Sequence, residues 1–229
     1  MTVGFDIIGD LNLEDGSSFN YEGKQTSLYC IVTGNISRNN LVVYKTLKHL
    51  SELYQGVFFI DSSLEAGDTE SRNESISDMF KIAKHLKNVV YLHNNVAVID
   101  GIGLLGCNGW YGNMKTNTAL DDLRSGIYHH EDVTYLAKSV EKLQLHNDIK
   151  KVLVITGSVP RIDLYNGEEP NNLDVLDLTQ CRHFDTEGKI TNWVFSSYPK
   201  MVDTVLDGVR YVNNPKVENQ PYWAKRIDV

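Results

Sequence analysis

Asp10, Asn12, Asn35, Ser63, Gly157, Ser158 and Ser197 each stand just past an apolar run, where a folded chain commonly presents side chains to a ligand. Their segments are Asp10-Leu11-Asn12, Gly34-Asn35, Ser62-Ser63-Leu64-Glu65, Gly157-Ser158 and Ser196-Ser197-Tyr198-Pro199. Two divalent cations a few ångströms apart repel strongly, so a two-metal centre needs anionic bridges and imidazole donors to hold it. Asn35 is a neutral amide and a weak bridge, Leu64 and Pro199 offer no side-chain donor, and a serine hydroxyl is a poor ligand for zinc, manganese or iron. Asp10 by itself reads as a strand-end residue bonding loop amides, with single-ion ligation as the alternative. Gly34-Asn35 reads first as a tight turn and second as a pocket wall. The serine pairs have no histidine in their own segments, and a serine without a positioned base is inert as a nucleophile.

The remaining constellation is His129-His130-Glu131-Asp132. Adjacent residues seldom point at one ion, and an Asp ahead of Val133, Leu136, Val140 and Leu143 is accounted for as a helix cap. His49, His85, His93, His146 and His183 show no ligand spacing and read as solvent-facing or hydrogen-bonded. Cys30, Cys107 and Cys181 are odd in number and far apart, which implies neither a disulfide framework nor a CxxC metal site and fits a reducing, cytoplasmic setting.

Positioning these residues requires strands that alternate with helices. Val3 to Ile8, Ser27 to Thr33, Val57 to Ile60, Val89 to Leu92, Val152 to Thr156, Trp193 to Phe195 and Val209 to Val212 are β-branched or aromatic runs of strand length. Val43, Leu47, Leu50 and Tyr54 carry helical spacing, with Asn39 or Asn40 as cap and Gly56 as stop; Ile76, Phe80, Ala83 and Leu86 carry it again. Asp100-Gly101 between two apolar runs predicts a type I′ hairpin. Arg161 to Asp185 reads as a long polar loop, a candidate recognition element, and Asn214-Pro215 as the end of regular structure. The alternation predicts an α/β layered fold.

In order and spacing the segments resemble the metal-site loops of the calcineurin-like metallophosphoesterases, whose motifs run Asp-x-His, Gly-Asp, Gly-Asn-His-Asp/Glu, a lone His and Gly-His-x-His. The resemblance extends over nearly the full length, including Gly106 and Trp110 before the fourth motif. It implies a four-layer α/β/β/α sandwich with two mixed sheets, residues 1–229 forming one domain. It also implies a degenerate site. Asp10 keeps the first carboxylate, Asn12 stands for a histidine, and Asn35 for the bridging carboxylate. Ser63 and Leu64 replace the asparagine ligand and the acid histidine, leaving Glu65; Gly157 or Ser158 replaces the fourth-motif histidine; Ser197 and Pro199 replace the last pair. On this reading there is no catalytic residue, metal or cofactor. A convergence of Ser63, Ser158, Ser197, Tyr198, Trp110 and Tyr111 would line the vacated pocket.

The resulting expectation is a catalytically inactive, metallophosphoesterase-like pseudoenzyme serving as a binding or assembly protein whose partner is another protein. The alternative is a hydrolase with a single-metal site that recruits Glu65 or His129 beside Asp10. The closing run Gly208-Val209-Arg210-Tyr211-Val212-Asn213-Asn214-Pro215 is similar to that of phosphoesterase-like proteins of bacterial viruses, which implies host cytoplasm or virion. A balance of 22 basic against 30 acidic residues, net −8, disfavours a nucleic-acid partner. No stretch approaches the roughly 18 apolar residues of a membrane span, and the N-terminus lacks a signal-peptide layout.

Overall fold

The computed structural model describes residues 2–229 apart from 15, 17, 20, 22–23, 68–70, 111–117, 166–177 and 219. Two mixed sheets organise it. The first runs β11 (Lys225–Asp228), β1 (Gly4–Ile8), β2 (Tyr29–Val32), β3 (Gly56–Phe59), β4 (Val89–Tyr91), parallel except for β11. The second runs β5 (Asn95–Ile99), β6 (Ile102–Cys107), β7 (Lys151–Thr156), β8 (Ile190–Phe195), β10 (Val209–Asn213), β9 (Val202–Leu206). Its four central strands are parallel and its two edges antiparallel.

Strand alternation sorts side chains between two apolar environments, which is why these strands read as unbroken apolar runs. Ile31 and Phe58 enter the core between the sheets with Leu104, Leu153, Ile155 and Val194. Cys30, Val32, Val57 and Phe59 face outward onto Val43, Leu47 and Leu50 of α1 (Asn40–Leu53) and Met79 and Ile82 of α3 (Arg72–Lys84). On the far side, Val152, Val154, Trp193 and Phe195 meet Leu136, Val140 and Leu143 of α4 (Ala119–Gln144). The layers are therefore helix, sheet, sheet, helix, the expected α/β/β/α sandwich; each fully buried aliphatic or aromatic side chain contributes about 1.5–3 kcal/mol. The short α2 (Ser63–Ala66) sits at the exit of β3.

Local chemistry sets the ends. Asn39, not Asn40, caps α1, its side chain accepting from the Leu41 N–H. Gly56 opens β3 rather than stopping α1; the helix ends at Tyr54 in extended backbone. The Asp100-Gly101 turn forms with both residues at positive φ, 48° and 79°. Asp207-Gly208 repeats it at 49° and 81°, joining β10 to β9, and β9 is a strand the apolar pattern alone does not reveal.

Three expectations need correction. Asp132 is no cap: α4 begins far upstream, with Thr118 accepting from the Asp121 N–H, and Asp132 lies buried in mid-helix. Regular structure does not end at Asn214-Pro215, because β11 returns to pair with β1, Gly4 opposite Asp228. The segment from Arg161 to Asp185 is not irregular throughout. Its flanks, Ile162–Tyr165 and Leu178–Phe184, are 3-10 turns that bury Leu164, Tyr165, Leu178 and Cys181 against the α4 layer. Its middle, with Gly167, Pro170, Asn171 and Asn172, lies outside the described residues.

Candidate functional site

The carboxyl ends of the parallel strands bring most of the singled-out residues together. Asp10 follows β1, Asn35 follows β2, Ser62 and Ser63 follow β3, Gly157 follows β7, and Ser196 and Ser197 follow β8. Asp10, Asn12, Asn35 and Ser197 all hold positive φ, between 47° and 63°, a left-handed backbone that costs a non-glycine residue about 1 kcal/mol or more.

A connected hydrogen-bond network occupies the centre. Asn35 Nδ2 donates to Asp10 Oδ1 at 2.7 Å and to Ser197 Oγ at 3.1 Å. Its Oδ1 accepts from Ser63 Oγ and from the Leu64 N–H, both at 3.1 Å. The Ser197 N–H donates to Asp10 Oδ1 at 3.0 Å, while Asn12 Nδ2 turns back to the Asp10 carbonyl at 3.0 Å. Beneath them the Gly157 carbonyl accepts from the hydroxyls of Ser62 (2.5 Å), Ser196 (3.0 Å) and Ser197 (2.7 Å). Burial pushes the Asp10 carboxyl above its usual range, with the Asn35 amide and the Ser197 N–H pulling the other way. Among the described residues its Oδ2, enclosed by the protein, has no hydrogen-bond partner.

Glu65, the residue retained from the third segment, is a loop organiser. Its two oxygens accept from the N–H groups of Asn35, Ile36, Ser37 and Ser62, tying the exits of β2 and β3 together. Burial pushes its carboxyl up to about 7 against those donors.

Two hollows lie at these strand exits, and the Asn35 side chain is hydrogen-bonded to residues of both. Asp10, Asn12, Asn35, Ser197 and Pro199 line one hollow of about 420 Å³. Ser63, Leu64 and Glu65 line another of about 450 Å³ with Arg38, Ser71 and Ser75. Gly157 lines neither. Ser158 points elsewhere, its hydroxyl bonded to the Gly109 carbonyl at the exit of β6. Trp110 also belongs elsewhere, and Tyr111 is outside the described residues. A third hollow at the opposite end, where β1 and β2 begin, includes Arg226, already paired with Asp228 at 2.8 Å.

A second buried polar cluster escapes sequence reading. Arg72 of α3 is 3% exposed, lies 4.0 Å from the Tyr128 ring centroid, and pairs with Glu131 at 3.2 Å and Asp132 at 3.6 Å. Asp132 also accepts from the Gly109 N–H at 2.7 Å and Asn94 Nδ2 at 2.9 Å. The missed signal is the spacing Ser125, His129, Asp132, Leu136, Val140, Leu143, one buried helix face that starts polar and turns apolar. His129 and His130 diverge: His129 is buried with Nδ1 on the Trp110 carbonyl, and His130 is exposed. Asp61, also unsuspected, is buried and accepts from Asn108 Nδ2 at 3.3 Å.

The donor set does not fit a two-metal centre. The amide protons of Asn35 point at the one carboxylate a cation would need, and both Glu65 oxygens are committed to backbone. A Cβ on Gly157 would lie 2.5 Å from the Asp61 carbonyl oxygen and 3.0 Å from that of Asn108, so this backbone admits no imidazole there. Among the described residues, no three His, Cys, Asp or Glu side chains group so as to hold a metal ion.

No protein-family model and no curated protein matches the sequence. Solved structures do match. Phosphopantetheinyl hydrolase (PptH) from Mycobacterium tuberculosis superposes with a TM-score of 0.70 at 12% identity, covering 97% of this chain and 95% of that one. The fold is metallophosphoesterase-like. A protein assigned as a 5'-nucleotidase from Staphylococcus aureus, solved in complex with alpha-ketoglutarate, gives 0.55 at 10% identity over 94% of this chain and 49% of that one. GAP50, the anchor in the inner membrane complex of Plasmodium, gives 0.51 at 7% over 93% and 71%. At such identities the likeness is one of fold, and function has to be argued from the site. Among the described residues no helix is long and apolar enough to cross a membrane.

Proposed function

We propose that this chain is a metallophosphoesterase-fold pseudoenzyme that works by binding, as an interaction or assembly protein for another protein. The observation that carries the reading is the Asn35 side chain. Its amide donates at 2.7 Å to the carboxylate that would otherwise serve a cation, and its oxygen is taken by Ser63 and Leu64. A network that pairs the Asp10 carboxylate with a neutral amide in place of a second anion neither compensates the repulsion between two divalent ions nor acidifies a water. The alternative hydrolase loses both recruits, since Glu65 is spent on four backbone N–H groups and His129 is turned to the Trp110 carbonyl. A bacterial-virus setting, in host cytoplasm or virion, belongs to the same proposal and rests on the closing run from Gly208 to Pro215.

Elemental analysis of protein purified without chelator tests the reading. The expected content of manganese, iron, zinc and nickel is far below stoichiometric, with no hydrolysis of simple phosphomonoesters or phosphodiesters above a no-enzyme control. Stoichiometric metal, together with turnover abolished by Asp10→Ala, overturns it.

A further inference from the structure

We propose that the outer edge of β5 pairs with the same edge of a second copy of this chain, antiparallel about a twofold axis at Ala97. The inference goes beyond the binding reading above and does not depend on it.

The free edges of the two sheets are not alike. An unpaired row of N–H and C=O groups is a template for a further strand, and natural sheets blunt it with charge, short length, proline or a bulge. β11 carries Lys225, Arg226 and Asp228. β9 carries Asp203, held by Arg210 at 2.8 Å and Lys225 at 2.6 Å, and β4 has only three residues. β5 reads Asn-Val-Ala-Val-Ile, without charge or proline and in unbroken register with β6.

Asp100-Gly101 closes a two-residue hairpin, so Ile99 and Ile102 exchange both ladder bonds, and alternation repeats this for Ala97 with Leu104 and Asn95 with Gly106. The N–H and C=O groups of Val96 and Val98 therefore point away from β6. Among the described residues no hydrogen bond outside the ladder uses them. Their side chains, 41% and 52% exposed, share a face with Leu105 of the α4-side core. Ala97 and Ile99, on the opposite face, are only partly buried against the core between the sheets. Apolar surface is thus open on both faces of one edge, and a further strand would cover both.

Self-complementarity selects the occupant. With Ala97 opposite its own copy, Val96 of each chain faces Val98 of the other, and each such pair exchanges two backbone hydrogen bonds. Asn94 faces Asp100, so no like charges oppose. The contact is isologous and closes at two copies. A five-residue ladder is small beside the interface of a permanent dimer, so association is concentration-dependent. The charge of −8 on each copy opposes it, so salt should strengthen it.

Sedimentation velocity of the full chain from about 1 to about 500 µM, at about 0.05 and about 0.3 M salt, tests the pairing. A monomer–dimer equilibrium that tightens with salt is expected. Val96→Lys with Val98→Lys sets ammonium against ammonium in both pairs and should weaken it at least about tenfold, whereas Val96→Lys with Val98→Glu should restore it to within about threefold. Thermal melts show whether these variants fold. Ala97→Cys gives a second measurement: directly opposed, non-hydrogen-bonded residues hold their Cα atoms about 4.5 Å apart, within disulfide reach. Cys30, Cys107 and Cys181 are buried, so mild oxidation should link two chains through residue 97. A chain monomeric to about 500 µM in both salts overturns the proposal and leaves the edge to an extended segment of another protein. A dimer indifferent to the folded two-lysine variant, or no linkage through Ala97→Cys, overturns it equally. None of these readouts involves metal content or hydrolysis, so failure here is distinct from failure of the pseudoenzyme reading.

Discussion

Replacing Asn35 by aspartate restores a carboxylate where the resembled family bridges two metals, and the network around it sets the outcome. The new carboxylate would face Asp10 Oδ1 at about the present 2.7 Å, a repulsion of about 6 kcal/mol at an effective dielectric constant of about 20. The chain has a cheaper course, which is to protonate the newcomer so that its O–H donates to Asp10 as the amide does now. Holding an aspartic acid of ordinary pKa protonated costs about 4 kcal/mol at pH 7 and about 1.5 kcal/mol at pH 5. The expected loss of stability is therefore capped near about 4 kcal/mol at neutral pH and shrinks toward acid with a slope of one proton. Urea denaturation of Asn35→Asp and the parent at both pH values measures it. A variant as stable as the parent at pH 7, or one whose deficit does not depend on pH, refutes the claim that the Asn35 amide holds Asp10 by donation.

Arg72→Met should cost about 3–5 kcal/mol in urea denaturation by leaving Asp132 buried without its ion-pair partner, and adding Asp132→Asn should recover more than half; no recovery would remove the ion pair as the cause. Lys189, 7% exposed, donates to the carbonyls of Leu143, Gln144 and His146 at 3.1–3.2 Å where α4 ends, so Lys189→Met should cost about 2–3 kcal/mol in the same assay. Glu65 binds its proton up to about pH 7 when folded, against a usual value of 4.5, so its contribution is complete below 4.5 and is lost as pH rises through 7. His129, held below 6.5 by burial, acts in the opposite direction only under that value, so between pH 6.5 and about 8 stability should fall by about 1 kcal/mol. A flat profile there would mean that four N–H donors keep Glu65 ionised.

The layered fold was legible because both faces of each central strand are covered. Ile31 and Phe58 face one core while Val32 and Phe59 face another, leaving continuous apolar runs that composition alone exposes. Edge elements were not. Lys225–Asp228 is short and mostly charged, and Val202–Leu206 buries chiefly its first residue, so neither carries a period strong enough to read. The loops after β1, β2, β3 and β8 could be placed because turn residues mark strand exits, but their partners could not. That Asn35 donates to Asp10, or that Glu65 is consumed by backbone, depends on contacts between segments far apart in the chain. Asp132 misled because an aspartate ahead of an apolar face looks the same whether it starts a helix or lies buried inside one; Arg72, sixty residues earlier in the chain, decides between them.

The glycine after β7 bears on attempts to build catalysis into this scaffold. The exit of β3 and the exit of β6 close on it, backbone against backbone, so substituting ligands one side chain at a time meets a geometric obstacle before any chemistry begins. Installing metal-binding residues at positions 10, 12, 35 and 199 would leave the fourth motif unfilled until residues 61–62 and 156–158 moved apart together. Conversion to a hydrolase is thus a problem of loop redesign, and screening point-substitution libraries would sample the wrong variable.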